Sequence, residues 1–146
     1  MVIYIDDGTY EPVRLTKGAY WTDNYAICDA AGTPIVWSDD GDWVARAEFY
    51  NEYGGTMLVD FDTESGASPD GTITLTDPTE PTNPASSNLT IELGSAASAT
   101  LTATQDERGR DTTVYVGQLW IWRTSATDKK YPALEFRITV VPQGVS

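Results

Sequence analysis

Trp120 and Trp122 stand two residues apart. On an extended strand that spacing sends both rings to one face, about 6.5–7 Å from each other. A flat aromatic pair of this kind is a platform for a sugar ring, with Trp21 and Tyr25 as further aromatic candidates. It is equally the large apolar surface of a core or an intersubunit contact. Packing is the preferred reading, because Leu119 and Ile121 make the other side of the same run apolar too.

The acidic residues offer two further chemistries. Asp39-Asp40-Gly41-Asp42 places three carboxylates around a glycine turn, and hard cations such as calcium favour clustered oxygens. The spacing departs from that of a calcium-binding loop, so a polar turn is preferred and no metal is expected. Glu48 and Glu52 lie near one strand end, and a glycosidase needs two carboxyls roughly 5–9 Å apart. With 22 acidic residues in 146, such neighbours arise by chance, and a solvated face is preferred.

Other mechanisms fail for want of residues. The chain has no histidine, which removes Ser-His-Asp and Cys-His nucleophile systems and histidine-ligated metals. Its one cysteine, Cys28, can form no intrachain disulfide and reads as a small buried hydrophobe. Neither a phosphate-binding glycine loop nor a dinucleotide fingerprint occurs. No catalytic residue and no cofactor are expected. Asn88-Leu89-Thr90 matches a glycosylation acceptor, but the N-terminus has neither a basic region nor a long apolar one, so no signal peptide is expected and the match carries no weight. The protein is expected to start life in a cytoplasm.

Charge narrows the partners. Nine basic residues against the 22 acidic ones give a net charge of −13. DNA binding depends on Lys and Arg displacing counterions, so a nucleic-acid partner is not expected. Nor is an anionic membrane, and no apolar stretch reaches the roughly 20 residues of a membrane-spanning helix.

The elements that would position these residues are strands. Period-two alternation recurs, bounded by turn residues, while helical periodicity is scarce. The clearest runs are 19–28, 43–50, 56–61, 72–76, 89–93, 114–122 and 134–141, with a brief strand expected at 35–37. Residues 95–104 suit one helical turn or an edge strand. Pro78, Pro81 and Pro84 mark a long loop that cannot join a central ladder, because proline lacks the N–H. Residues 1–14 read as an extended arm and 15–146 as the domain. Seven or eight short strands at this spacing predict an all-β, antiparallel sandwich of immunoglobulin-like type with a long proline-rich loop.

The order of features resembles the small immunoglobulin-like structural proteins of tailed bacteriophages, including stand-alone relatives of the N-terminal domain of baseplate upper proteins. The resemblance rests on Gly18-Ala19-Tyr20-Trp21 leading to Asp29-Ala30-Ala31-Gly32-Thr33-Pro34-Ile35, then Asp70-Gly71-Thr72-Ile73-Thr74-Leu75. It continues through Ser95–Leu101, Tyr115-Val116-Gly117-Gln118-Leu119-Trp120 and the valine-rich end from Ile138 to Val145. It covers about residues 15–146. Gly18-Ala19-Tyr20 replaces the usual Gly-Asp-Thr opening, and the proline-rich 77–84 segment lengthens a loop.

The resemblance implies a non-enzymatic virion protein, made in the host cytoplasm. Its expected role is a tail, baseplate or fibre-attachment accessory that binds other virion proteins in a homo- or hetero-oligomeric assembly. The alternatives are a capsid decoration protein and a carbohydrate-binding module. The expected contact residues are Val2, Ile3, Tyr4 and Ile5 of the arm, Trp120 and Trp122, and Val140 and Val141 at the start of a second arm.

Overall fold

Alternation becomes strand almost wherever the sequence carries it. The computed structural model describes residues 2–5, 9–52, 54–63, 70–105, 107–110 and 114–142. Its strands are β1 (Val2–Tyr4), β2 (Thr9–Thr16), β3 (Trp21–Cys28), β4 (Trp43–Tyr50) and β5 (Met57–Asp62). They continue with β6 (Gly71–Leu75), β7 (Leu89–Leu93), β8 (Val114–Arg123) and β9 (Tyr131–Val141). Helix is confined to single turns: α1 (Trp37–Asp40), α2 (Ser95–Ser98) and a 3-10 turn at Thr124–Ala126. The protein is all-β.

The strands form one mixed, nearly barrel-shaped sheet in the order β1-β3-β7-β6-β5-β4-β8-β9-β2. Neighbours are antiparallel except at β1–β3, β2–β9 and β5–β6. Among the described residues the β5–β6 register comprises Phe61↔Gly71 and Asp62↔Thr72, the shortest pairing in the sheet. The curl encloses the core. Phe49 on β4 meets Phe61 on β5 at 4.9 Å and Phe136 on β9 at 5.6 Å between ring centroids. From the opposite wall, Trp21 of β3 approaches Phe49 and Phe61 at 6.2 and 6.3 Å, and Tyr25 approaches Phe136 at 6.4 Å.

Two glycines make room for these rings. Gly117 is the register partner of Phe49, and Gly71 that of Phe61. A Cβ at Gly117 would lie 2.6 Å from Phe49, and one at Gly71 would lie 2.3 Å from Phe61. Each ring therefore lies over the neighbouring strand's glycine, the arrangement that compensates a glycine inside a sheet.

Asn88, before β7, ties one end of the barrel together. Its side chain donates to Ile27 O and Ile35 O at 2.9 Å and accepts from Ile27 N at 2.8 Å. Its carbonyl accepts the indole N–H of buried Trp37 at 2.7 Å. Asn88 is 1% exposed, so the glycosylation acceptor is closed inside the folded chain.

Two expectations change, and one stated alternative is chosen. The brief strand at 35–37 is absent: Pro34 makes one bridge to Cys28, and Trp37 opens α1, which Gly41 ends at φ 77 with its N–H on Trp37 O. Residues 95–104 take the helical-turn alternative at α2. Among the described residues nine strands stand in place of seven or eight, because the segment read as an arm contributes β1 and most of β2. The 14/15 boundary falls inside β2, where Val13 and Leu15 are buried. Among the described residues no helix is long and apolar enough to cross a membrane.

Candidate functional site on the outward face of β4 and β8

β4 and β8 pair antiparallel over eight residues, from Trp43↔Arg123 to Tyr50↔Val116. Ala45, Ala47 and Phe49 on β4, with Leu119 and Ile121 on β8, turn inward and are 0% exposed. Period two then sends Arg46, Glu48 and Tyr50, with Val116, Gln118, Trp120 and Trp122, to the opposite face, where all are half-buried. The tryptophan pair is thus on one face, as its spacing predicts. That face is the outer one, so of the core-or-interface reading the core half is corrected.

A bulge lies beside the pair. The β8–β9 register passes from Leu119↔Leu134 to Trp120↔Pro132, leaving Ala133 as the extra residue of β9. Bulges bend a strand and re-aim the side chains near them. Beyond it, Lys130 places its Nζ 4.5 Å above the ring of Trp122, a cation–π contact. Arg46, Glu48, Trp120, Trp122 and Lys130 line a shallow pocket of ≈ 280 Å³.

Arg46 sits between carboxylates. Its Nε donates to Glu48 at 2.8 Å, Nη1 to Asp62 at 3.2 Å and Nη2 to Asp60 at 3.5 Å. Tyr50 donates its hydroxyl to Glu48 as well. Burial pushes the Glu48 carboxyl up, but the hydrogen bonds from Tyr50 and Arg46 outweigh it and hold the group below its usual range. The same bond to Glu48 raises the pKa values of Arg46 and Tyr50. A carboxylate held ionised is the reverse of a general acid tuned towards neutrality. Glu52, the other member of the acid pair, lies exposed beyond the end of β4.

The acidic turn is spent on structure. Asp40 accepts from the indole of Trp43 at 2.8 Å and pairs with Arg123 at 3.5 Å. Asp42 accepts from Arg123 Nε at 2.8 Å and from Ser125 N at 3.0 Å. The bonds from Ser125 and Arg123 lower the Asp42 pKa to about 2. Asp39 is exposed. Among the described residues no group of three or more His, Cys, Asp or Glu is placed to hold a metal ion.

The remaining candidates scatter. Ile3 and Val140 are 0% exposed, and Val141 is 8% exposed, so these side chains are core rather than contact surface. Val2 lies in β1, Ile5 is half-buried and Tyr4 is exposed. The end of the second arm, 143–146, lies outside the described residues. Tyr25 is buried and Trp21 packs on Phe49 and Phe61, so neither joins the tryptophan pair. Cys28 is buried, with its thiol on Pro84 O at 3.5 Å; burial, with Asp29 nearby, raises its pKa and disfavours the reactive thiolate.

Arg46, Tyr50, Gln118 and Lys130 were not singled out in the sequence. The outward phase of β4 was their available signal, but only the pairing of β4 with β8 sets them beside the tryptophans. In comparisons with known proteins, no family model matches this chain and no curated protein sequence matches it.

Proposed function

We propose that this chain is a non-enzymatic structural protein of a tailed-phage virion, made in the host cytoplasm. It has an immunoglobulin-like sandwich and serves as a tail, baseplate or fibre-attachment accessory that binds other virion proteins. The strand order supports the sandwich. β3-β7-β6 runs as strands B, E and D of that fold, and β5-β4-β8-β9 as C′, C, F and G, with β2 added parallel to G and β1 beside B but parallel to it, where strand A would be antiparallel. The two halves meet through the two-residue β5–β6 contact, and aromatic rings fill the space between them.

The observation that carries the binding role is the pair of terminal strands. Among the described residues, β1 and β2 are each paired on one side only. Ile3, Val13 and Leu15 anchor them in the core, while Tyr4 and Tyr10 stand 42% and 52% exposed. A rigid edge with exposed aromatics is what a neighbouring subunit needs for strand addition. Anchored edges thus take the place of the free arm expected from the sequence.

Mass spectrometry of purified particles tests the assignment: the protein should be present in intact virions, and its absence would refute the proposal. Copy number then chooses the site. On the order of hundreds per particle means capsid decoration, and tens or fewer means the tail, by the symmetry of the assembly.

A further inference from the structure

A second binding surface, separate from the strand edges, lies along β4 and β8. Beside the pocket at Trp120 and Trp122 is another of ≈ 310 Å³, lined by Tyr50, Gly54, Gly55, Val116, Gly117 and Gln118. The two adjoin, because Glu48 of the first and Gln118 of the second are register partners. Taken together the two pockets line β8 from Trp122 to Val116, and this row of pockets is a groove of roughly 20 Å at the rise of a strand.

We propose that this groove binds a neutral, linear glycan. Trp120 and Trp122 supply the stacking surface: the C–H groups on a pyranose face are the positive partner for the negative face of an indole. Lys130, seated over Trp122, covers part of that ring and stands where its ammonium can donate to a hydroxyl of a sugar stacked beside it. Arg46, Glu48, Gln118 and Tyr50 supply planar donors and acceptors along the same line, which suits vicinal hydroxyls. Arg46, Glu48 and Tyr50 are already held in place by one another, so binding orders few side chains.

Charge and composition select this occupant over others. Glu48, Asp60 and Asp62 surround the single Arg46, and the chain carries −13, so a sulfated, phosphorylated or uronic-acid polymer is repelled. The centre of a protein interface is depleted of Asp, Glu and Lys. Here Arg46, Glu48 and Lys130 line the pocket with the tryptophans, and Asp60 and Asp62 hold Arg46 from the next strand, which favours a hydroxyl-rich ligand over a protein surface.

The full chain should be screened on an array of neutral glucan, mannan, galactan and chitin-type oligosaccharides alongside sulfated and uronic-acid glycans. Hits are then titrated by calorimetry at several chain lengths. The proposal expects a neutral ligand whose affinity rises from disaccharide to longer oligomers and changes little between low and molar salt. Trp120→Ala and Trp122→Ala should each weaken binding by about tenfold or more. Both rings face outward, so melting temperatures should show these variants folded. Three results would overturn the proposal: no neutral glycan bound by the folded protein, capture of acidic glycans alone, or binding that both substitutions leave intact. A fourth is protection of this face by a second copy or another protein in cross-linking maps.

Discussion

The two faces of β4 and β8 are carried by alternate residues of the same two strands and obey different rules. Inward, Ala45, Ala47, Phe49, Leu119 and Ile121 are fully buried, and Gly117 is matched to Phe49 so closely that no Cβ fits. Shape decides there. Outward, Arg46 satisfies three carboxylates, Tyr50 bonds Glu48, and the tryptophans keep part of their surface in solvent. Complementary charge orders that face without closing it. One face can therefore supply stability while the other is left to recognition.

Substitutions can break that division. The largest loss is expected from Asn88→Ala, since Ile27 N and Ile35 O lose their side-chain partner together, while Ile27 O keeps the Ile35 N–H. With about 1–3 kcal/mol for each of the two groups left unpaired, urea denaturation should show roughly 4 kcal/mol of destabilisation. A loss below about 1 kcal/mol would mean that water replaces the amide. Gly117→Ala comes next: overpacking against Phe49 should cost about 1–3 kcal/mol. On the same strand, outward-facing Gln118→Ala should stay within about 0.5 kcal/mol. Equal losses at 117 and 118 would erase the distinction between the faces.

Much of this contrast was legible before any coordinates. Alternation placed Ala45, Ala47 and Phe49 together, and it placed Leu134, Phe136, Ile138 and Val140 together, because one polar and one apolar side leave a single way to bury the strand. In β8 both sides are apolar, so alternation grouped Trp120 with Trp122 but could not say which side is the core. The inward side is the one that carries Gly117, where Phe49 needs the space, and that match exists only in the β4–β8 register. The Arg46 cluster was hidden for the same reason: Glu48 is close in sequence, but Asp60 and Asp62 arrive through the β4–β5 pairing. The first fourteen residues looked like an arm because parallel pairing to β3 and β9 leaves no hairpin signal. Trp37 opens a helical turn, against the strand expected there, and its indole is held by Asn88 fifty-one residues away.

A smaller effect separates recognition from folding. Trp120→Ala should change stability by about 1 kcal/mol or less, since the ring is half-buried on the outer face. A cooperative loss of several kcal/mol would return Trp120 to the structural side of the comparison.

The smallest expected effect depends on pH. Asp42 anchors the loop end by accepting from Arg123 and Ser125, and these bonds lower its carboxyl from the usual 3.8 to about 2. Its folded value lies below its unfolded one, so its contribution is fully present above the unfolded value and fades as pH falls through the folded one. Asp42→Asn keeps the shape of the side chain and removes the charge. The variant should therefore melt below the wild type by a constant margin from neutral pH down to about 5. That gap should narrow between pH 3.8 and about 2, as the wild-type carboxyl takes up its proton. Paired melting curves across this range isolate Asp42, because every other acidic group titrates in both proteins. A gap that persists unchanged at pH 2 would show that the shape of the Asp42 side chain, and not its charge, holds Arg123 and Ser125 in place.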